Sequence, residues 1–256
     1  MYCSVNQLRE FYRSEIGGIV QRIMMHHISD AWSDVHGFRV MGCGYALPYL
    51  SYFQNEDAER VFALMPKEQG AILWPKNKKN LVLSCEEDQF PIENASIDRA
   101  ILIHHLEGCN DLRSSVREIW RVLKANGRVL VVVPNRLGAW AHADWSPFGQ
   151  GRPFTMSQLS MVLSDNLFQV ESHKSALFVP PIPDSPVMMR SANFIERFGS
   201  TILPFVAGVH IVEISKKIYA GVDNSGGGAP VLAKTKKILG AKGRAVPQSF
   251  TPTKLR

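Results

Sequence analysis

The chain has 256 residues, 45% of them hydrophobic, which is enough for a sizeable core in one large or two small domains and excludes a disordered protein. Its net charge of +6 hints at nucleic acid, but residues 221–256 hold seven of the 29 Lys and Arg against one acid, Asp223, so residues 1–220 are neutral. No basic, then apolar leader and no apolar run of about 18 residues is visible, so neither a secretory signal nor a membrane span is expected; Cys3, Cys43, Cys85 and Cys109 lack the spacing of a metal or dithiol site. A reducing, cytoplasmic setting fits these features.

Ser4 to Ala31 carries apolar residues at Leu8, Phe11, Tyr12, Ile16, Ile19, Val20, Ile23 and Met24, the spacing of an amphipathic helix, with Gly17-Gly18 expected to break it midway. His26-His27 are adjacent and point apart, so they do not form a metal pair. Phe38 to Gly44 reads as a buried strand ending in Gly42-Cys43-Gly44, and Leu47 to Gln54 as the helix that follows. Glycine suits such a turn because it tolerates unusual φ/ψ and lets a ligand approach backbone at a helix start, which is the chemistry of a nucleotide-type site.

Further strands are predicted at Arg60–Pro66, Leu81–Ser84, Ile97–His105 and Arg128–Asn135, the last a continuous β-branched run of the kind buried on both faces. Asp111 to Leu123 is predicted as a helix closed by Asn126-Gly127. Phe154 to Asp165 reads as another helix, Phe168 to Val179 as extended, Pro180–Asp184 as a rigid loop, and Gly208–Ser215 as a last strand. Alternating strands and helices imply a parallel sheet covered on both faces, with ligand at the carboxyl ends of its strands. The Gly/Ser/Pro-rich stretch from Asn224 and the basic sequence beyond it read as a flexible tail at 221–256, able at most to attract nucleic acid weakly through charge.

In that order, Glu86-Glu87-Asp88-Gln89-Phe90-Pro91, Ser96-Ile97-Asp98 and Arg117-Glu118-Ile119-Trp120-Arg121-Val122-Leu123-Lys124 resemble the motifs of class I S-adenosylmethionine (SAM)-dependent methyltransferases. The resemblance covers residues 36–135 well and the rest more loosely. It implies an α/β, Rossmann-like, mostly parallel seven-stranded sheet with helices on both faces and a small insertion or cap at 180–205. The domain would be residues 1–220, with an N-terminal helical segment at 1–35. It implies SAM as cofactor; the motifs do not name the acceptor, and the aromatics Trp140, Trp145 and Phe148 suggest a small or flat molecule. Gly42 and Gly44 would pass beneath the methionine and ribose, with Tyr45 and Ala46 lining the turn and Met65 and Pro66 beside the ribose. Glu86, Glu87 and Asp88 would be candidates to receive the adenine amine, and Ile103 and His104 would lie near the sulfonium. His105, His142 and Trp145 would face the acceptor. No membrane association is expected, and no metal site.

Several residues depart from the pattern. Val40 stands where the family has a carboxylate before the first glycine, Ala46 replaces the third glycine, and Met65-Pro66 stands where an acid takes the ribose hydroxyls, with Glu68 nearby as a substitute. One charged hydrogen bond is worth about 1.5–3 kcal/mol, so its loss weakens binding roughly ten- to a hundredfold. This motivates an alternative: a non-catalytic subunit of the same fold, acting through a protein partner or as a ligand sensor. A nicotinamide oxidoreductase would need glycine where Leu47 stands.

Overall fold

The computed structural model describes residues 2–183, 191, 194–196, 199 and 206–217; the expected tail at 221–256 and most of the expected cap at 180–205 lie outside them. In chain order the elements are α1 (Val5–Arg13), α2 (Glu15–Ala31), β1 (Arg39–Gly44), α3 (Leu47–Asn55), β2 (Arg60–Pro66), β3 (Val82–Cys85), β4 (Ile97–Ile103), α4 (Leu112–Val122), β5 (Leu123–Pro134), α5 (Met156–Asp165), β6 (Phe168–Ala176) and β7 (Val209–Lys216). Two short 3-10 turns, Ala139–His142 and Pro147–Gly149, lie between β5 and α5.

The strands form one seven-stranded sheet in the order β3-β2-β1-β4-β5-β7-β6. β1 pairs in parallel with both β2 and β4, while β7 runs antiparallel to β5 and β6. The strand order therefore reverses at β1, and the crevice beyond the ends of β1 and β4 is where such sheets bind ligands. The expected mostly parallel α/β sheet is the observed one. One apolar cluster packs α1, α2 and α3 on one face through residues such as Leu8, Val20, Leu50 and Ile101; a second packs α4 and α5 on the other through Val116, Ile119, Val131 and Leu159. Burial on both sides explains the unbroken run Val129–Val133, which alternation would have interrupted.

Two boundaries differ from expectation. The N-terminal helix breaks at Ser14, not at Gly17-Gly18: Ser14 Oγ accepts from the Gly17 amide and its own amide reaches back to Glu10, so one residue ends α1 and starts α2. Gly17 stays helical because a Cβ there would lie 1.9 Å from the Phe11 carbonyl oxygen; its bareness lets the two helices meet. Likewise Asn126-Gly127 does not close α4. That helix ends at Val122, and Leu123 already pairs with Ile97, so the strand ladder overrides the turn signal.

The most specific sequence motif has an architectural role. Glu118 accepts from the Phe90 amide at 2.9 Å, and Arg121 donates to the carbonyls of Phe90 (2.9 Å) and Ile92 (2.8 Å), so α4 grips the loop that follows β3. Lys124 donates to both oxygens of Asp98 at 2.8 Å, tying the start of β5 to β4. Between β2 and β3 the chain from Lys67 to Leu81 is irregular, with no helix over that edge of the sheet.

Candidate functional site

The ends of four parallel strands place Gly44-Tyr45, Met65-Pro66, Cys85–Asp88 and Ile103–His105 along one edge of the sheet. Gly44 takes φ +72, and a Cβ there would lie 2.4 Å from the Ile103 carbonyl oxygen, which instead accepts from the Tyr45 amide at 2.7 Å. Only glycine fits this crossing of β1 and β4. Gly42 serves packing instead: a Cβ would lie 2.8 Å from that of Ala46, so the two small residues seat α3 on β1. Val40 and Met65 are fully buried in the apolar cluster beneath α2 and α3, and no carboxylate enters the site from either position.

The loop after β3 carries the site's acidic edge. Glu87 Oε1 accepts from the amides of Asn110 and Asp111 at 2.9 Å each, which fixes its carboxylate. Glu86 pairs with Lys67 at 2.6 Å, Asp88 is exposed, and Glu68 accepts from the Asn110 side chain at 2.7 Å. These groups line a cavity of about 260 Å³ together with Pro66 and Tyr2.

Tyr2 is the part of this arrangement that the sequence did not announce. Its hydroxyl donates to Glu87 Oε2 at 2.7 Å, and its ring lies against Gly108, where a Cβ would come within 2.3 Å of it. Behind it, the Val5 amide donates to the Gln69 carbonyl at 2.7 Å. The N-terminal segment thus runs along the strand ends from the β3 loop toward the glycine turn.

At the other end of the segment, Tyr49 donates to the Tyr12 hydroxyl (3.3 Å), Tyr12 lies 2.9 Å from His104 Nε2, and His104 Nδ1 lies 3.2 Å from Glu107 Oε1. With Tyr49 donating, the Tyr12 hydroxyl is left to donate to Nε2, and His104 Nδ1–H then donates to Glu107. Burial holds the Tyr12 phenol well above its ordinary pKa, which keeps it a donor. His104 itself takes φ +52, and its carbonyl accepts from Gln69 Nε2 at 3.1 Å. Two acceptors beside this histidine, Gln69 Oε1 and Glu107 Oε2, are buried without any partner.

The remaining expected site residues separate. Ile103 is fully buried beneath the crossing. His105 does not face an acceptor: it is 1% exposed, turned to the opposite side of the sheet from His104, with Nε2 2.9 Å from Ser115 Oγ of α4. Burial pushes its pKa down to about 4, so it is neutral and structural. His142 is exposed on the first 3-10 turn. Trp145, 46% exposed, lies with its ring tilted against those of Phe11 and Trp140 and borders a second cavity of about 340 Å³ with Cys3, Glu10 and Pro147.

Burial pushes the thiols of Cys3 and Cys85 up to about 11 and that of Cys109 up to about 12, so none is a thiolate at neutral pH. Among the described residues no group of three His, Cys, Asp or Glu could hold a metal ion, and no helix is long and apolar enough to cross a membrane.

The residues suit a cationic, amine-bearing nucleoside in some respects and not in others. Glu87 offers an anchored carboxylate, Gly44 a close backbone, and Gln69 and Glu107 two buried acceptors lacking donors. A carboxylate for the ribose is missing at Met65, and the phenol of Tyr2 already occupies Glu87.

Residues 40–131 match a family model described as a methyltransferase domain. No curated protein matches the sequence significantly. Among solved structures, a SAM-dependent methyltransferase from Thermotoga maritima superposes with a TM-score of 0.57 at 14% identity, over 84% of this chain and 96% of its own. The methyltransferase in a complex with the Haloferax volcanii Trm112 methyltransferase activator gives 0.57 at 15% identity, over 78% of this chain and 92% of its own. A geranyl diphosphate methyltransferase in complex with SAM gives 0.52 at 10% identity, over 75% and 84%.

Proposed function

We propose, for a chain that carries a class I methyltransferase domain, that it is a SAM-dependent methyltransferase whose cofactor enters the strand-end site by displacing Tyr2. The observation that carries this reading is the pairing of the glycine crossing at Gly44 with the fixed carboxylate of Glu87 and the donor-less acceptors of Gln69 and Glu107. A carboxylate held by two amides is an acceptor for an exocyclic amine, and buried acceptors without donors cost about 1–3 kcal/mol each until a donor arrives. Glu68, just past the end of β2 and on the wall of the same cavity as Glu87, is the acid assigned to the ribose hydroxyls.

When bound, the cofactor supplies an electrophilic methyl group on a sulfonium. The chain's own part is to bind, align and exclude water. Alignment supplies much of the acceleration in such displacements, so a dedicated catalytic group is not required. His104, oriented by Glu107 and Tyr12, holds the wall of the site. The acceptor is a small molecule approaching from the side of Phe148, Trp145 and His142, where the Phe148 ring lies 4.7 Å from that of His104, tilted by 57°.

A second reading, a non-catalytic domain working through a protein partner, is favoured by one specific contact. The Tyr2 phenol makes on Glu87 the hydrogen bond that an adenine amine would make. Crystals grown with millimolar S-adenosylhomocysteine separate the two. Nucleoside on Glu87 with Tyr2 moved away supports the enzyme; Tyr2 in place and no nucleoside supports the second reading.

A further inference from the structure

A cavity of about 720 Å³ borders the strand-end site at Tyr45, the residue that follows the Gly44 crossing, and at Tyr12. It lies between α1, the first turn of α3 and the 71–76 stretch that runs where no helix covers the sheet edge. Its size falls within the range of about 300–1,000 Å³ typical of small-molecule sites.

Its chemistry is one-sided. Arg9, Arg13 and Lys76 line it and no carboxylate does. The body of the chain, residues 1–220, is neutral, so three cations without an acid are a local feature rather than a reflection of general basicity. Arg13 and Lys76 make no ion pair among the described residues. Arg9 reaches only an amide, Asn6 Oδ1 at 3.2 Å, and its Nε is buried with no partner at all. Leaving a guanidinium N–H buried and unbonded costs free energy that an incoming acceptor would recover.

The walls are aromatic. Tyr12 and Tyr45 stack at 5.5 Å with 26° between their rings, and Trp74 stands on the loop opposite. Both arginines lie close enough to the Tyr45 hydroxyl to pull its proton affinity down against the rise caused by burial. Leu47 and Pro48, the first residues of α3, also line the cavity, and Ala46 before them offers no side-chain cap, so the positive end of that helix borders it.

We infer that this cavity binds a flat organic anion, a substrate or effector that carries a carboxylate on an aromatic or conjugated body, in a site that adjoins the strand-end site at Tyr45 and that the cofactor does not fill. The anionic group sits between Arg9 and Arg13, and the flat body lies among Tyr12, Tyr45 and Trp74. Guanidinium groups recognise carboxylates through paired N–H donors, and aromatic walls select planarity. The site is independent of whether the domain transfers methyl groups.

The test uses the full chain and two probes of one shape, 2-naphthoate and the neutral 2-naphthol, titrated by calorimetry. Naphthoate binds about tenfold more tightly than naphthol, the difference made by about one charged hydrogen bond. Arg13→Gln and Arg9→Gln together bring the two affinities level. Lys76→Gln, at an exposed residue on the irregular 67–81 stretch, lowers the preference about twofold and guards against a misfolded double variant. Equal affinity for both probes in the wild type, or a preference that survives loss of both arginines, overturns the site. A carboxylate could also come from SAM itself, so naphthoate is titrated again with saturating SAM. Unchanged naphthoate affinity supports a site that the cofactor does not fill, and competition assigns the cavity to the cofactor's carboxylate and overturns it.

Discussion

Tyr12 Oη lies 2.9 Å from His104 Nε2, joining the N-terminal helix to the end of β4 across 92 residues. Tyr12→Phe leaves Nε2 a buried acceptor without a donor, at a cost of about 1–3 kcal/mol. Tyr49→Phe removes only a donor onto Tyr12, whose own proton still reaches His104, and costs about 0.5–1.5 kcal/mol. Urea unfolding measures both; a Tyr49→Phe loss as large as that of Tyr12→Phe contradicts the direction assigned to the chain of protons.

Adjacent glycines in α2 are expected to respond with opposite sign. A Cβ on Gly18 would meet nothing within 4 Å, so Gly18→Ala stabilises the helix by about 0.5–1 kcal/mol. Gly17→Ala drives a methyl to within 1.9 Å of the Phe11 carbonyl and forces α1 away, destabilising by at least the ~1–3 kcal/mol of overpacking. Thermal unfolding of the two single variants decides this, and two shifts of the same sign refute it.

Stability should fall on mild acidification. His105 and His210 are both pushed by burial to about 4 from an ordinary value of 6.5, and His173 adds to the push on His210. Between these values the unfolded chain binds more protons than the folded one, so stability is fully present above pH 6.5 and is lost as pH drops toward 4. The fully buried His105 contributes on the order of 3 kcal/mol to this slope. Urea midpoints across the window, with His105→Gln as comparison, test it: the variant's profile is the flatter one, and identical slopes would refute the role of His105.

The sheet and the glycine turn are legible in the sequence because their signals are local. Val129–Val133 is continuous because both faces are covered, and Gly44 follows a buried run because only glycine passes the Ile103 carbonyl. The Arg-Glu-x-x-Arg motif is recognisable by its spacing, while its work, Glu118 and Arg121 holding the Phe90 loop, is visible only in the fold. What stays hidden depends on partners distant in sequence. Tyr2 and Glu87 are 85 residues apart, and neither residue type carries a mark of the other. Tyr12 reads as one apolar position of a helix, although its hydroxyl is the feature that matters. His105 is expected beside an acceptor because it neighbours His104, but both lie past the end of β4, where His104 takes φ +52 and the two side chains leave on opposite faces.

On the proposed reading SAM binds at the strand ends in competition with Tyr2. Calorimetric titration of SAM into the wild type and Tyr2→Ala tests it most directly. The prediction is binding to both, about tenfold tighter in the variant, the effect of freeing Glu87 from one charged hydrogen bond. No heat from either protein at millimolar SAM, or equal affinity in the two, would contradict it.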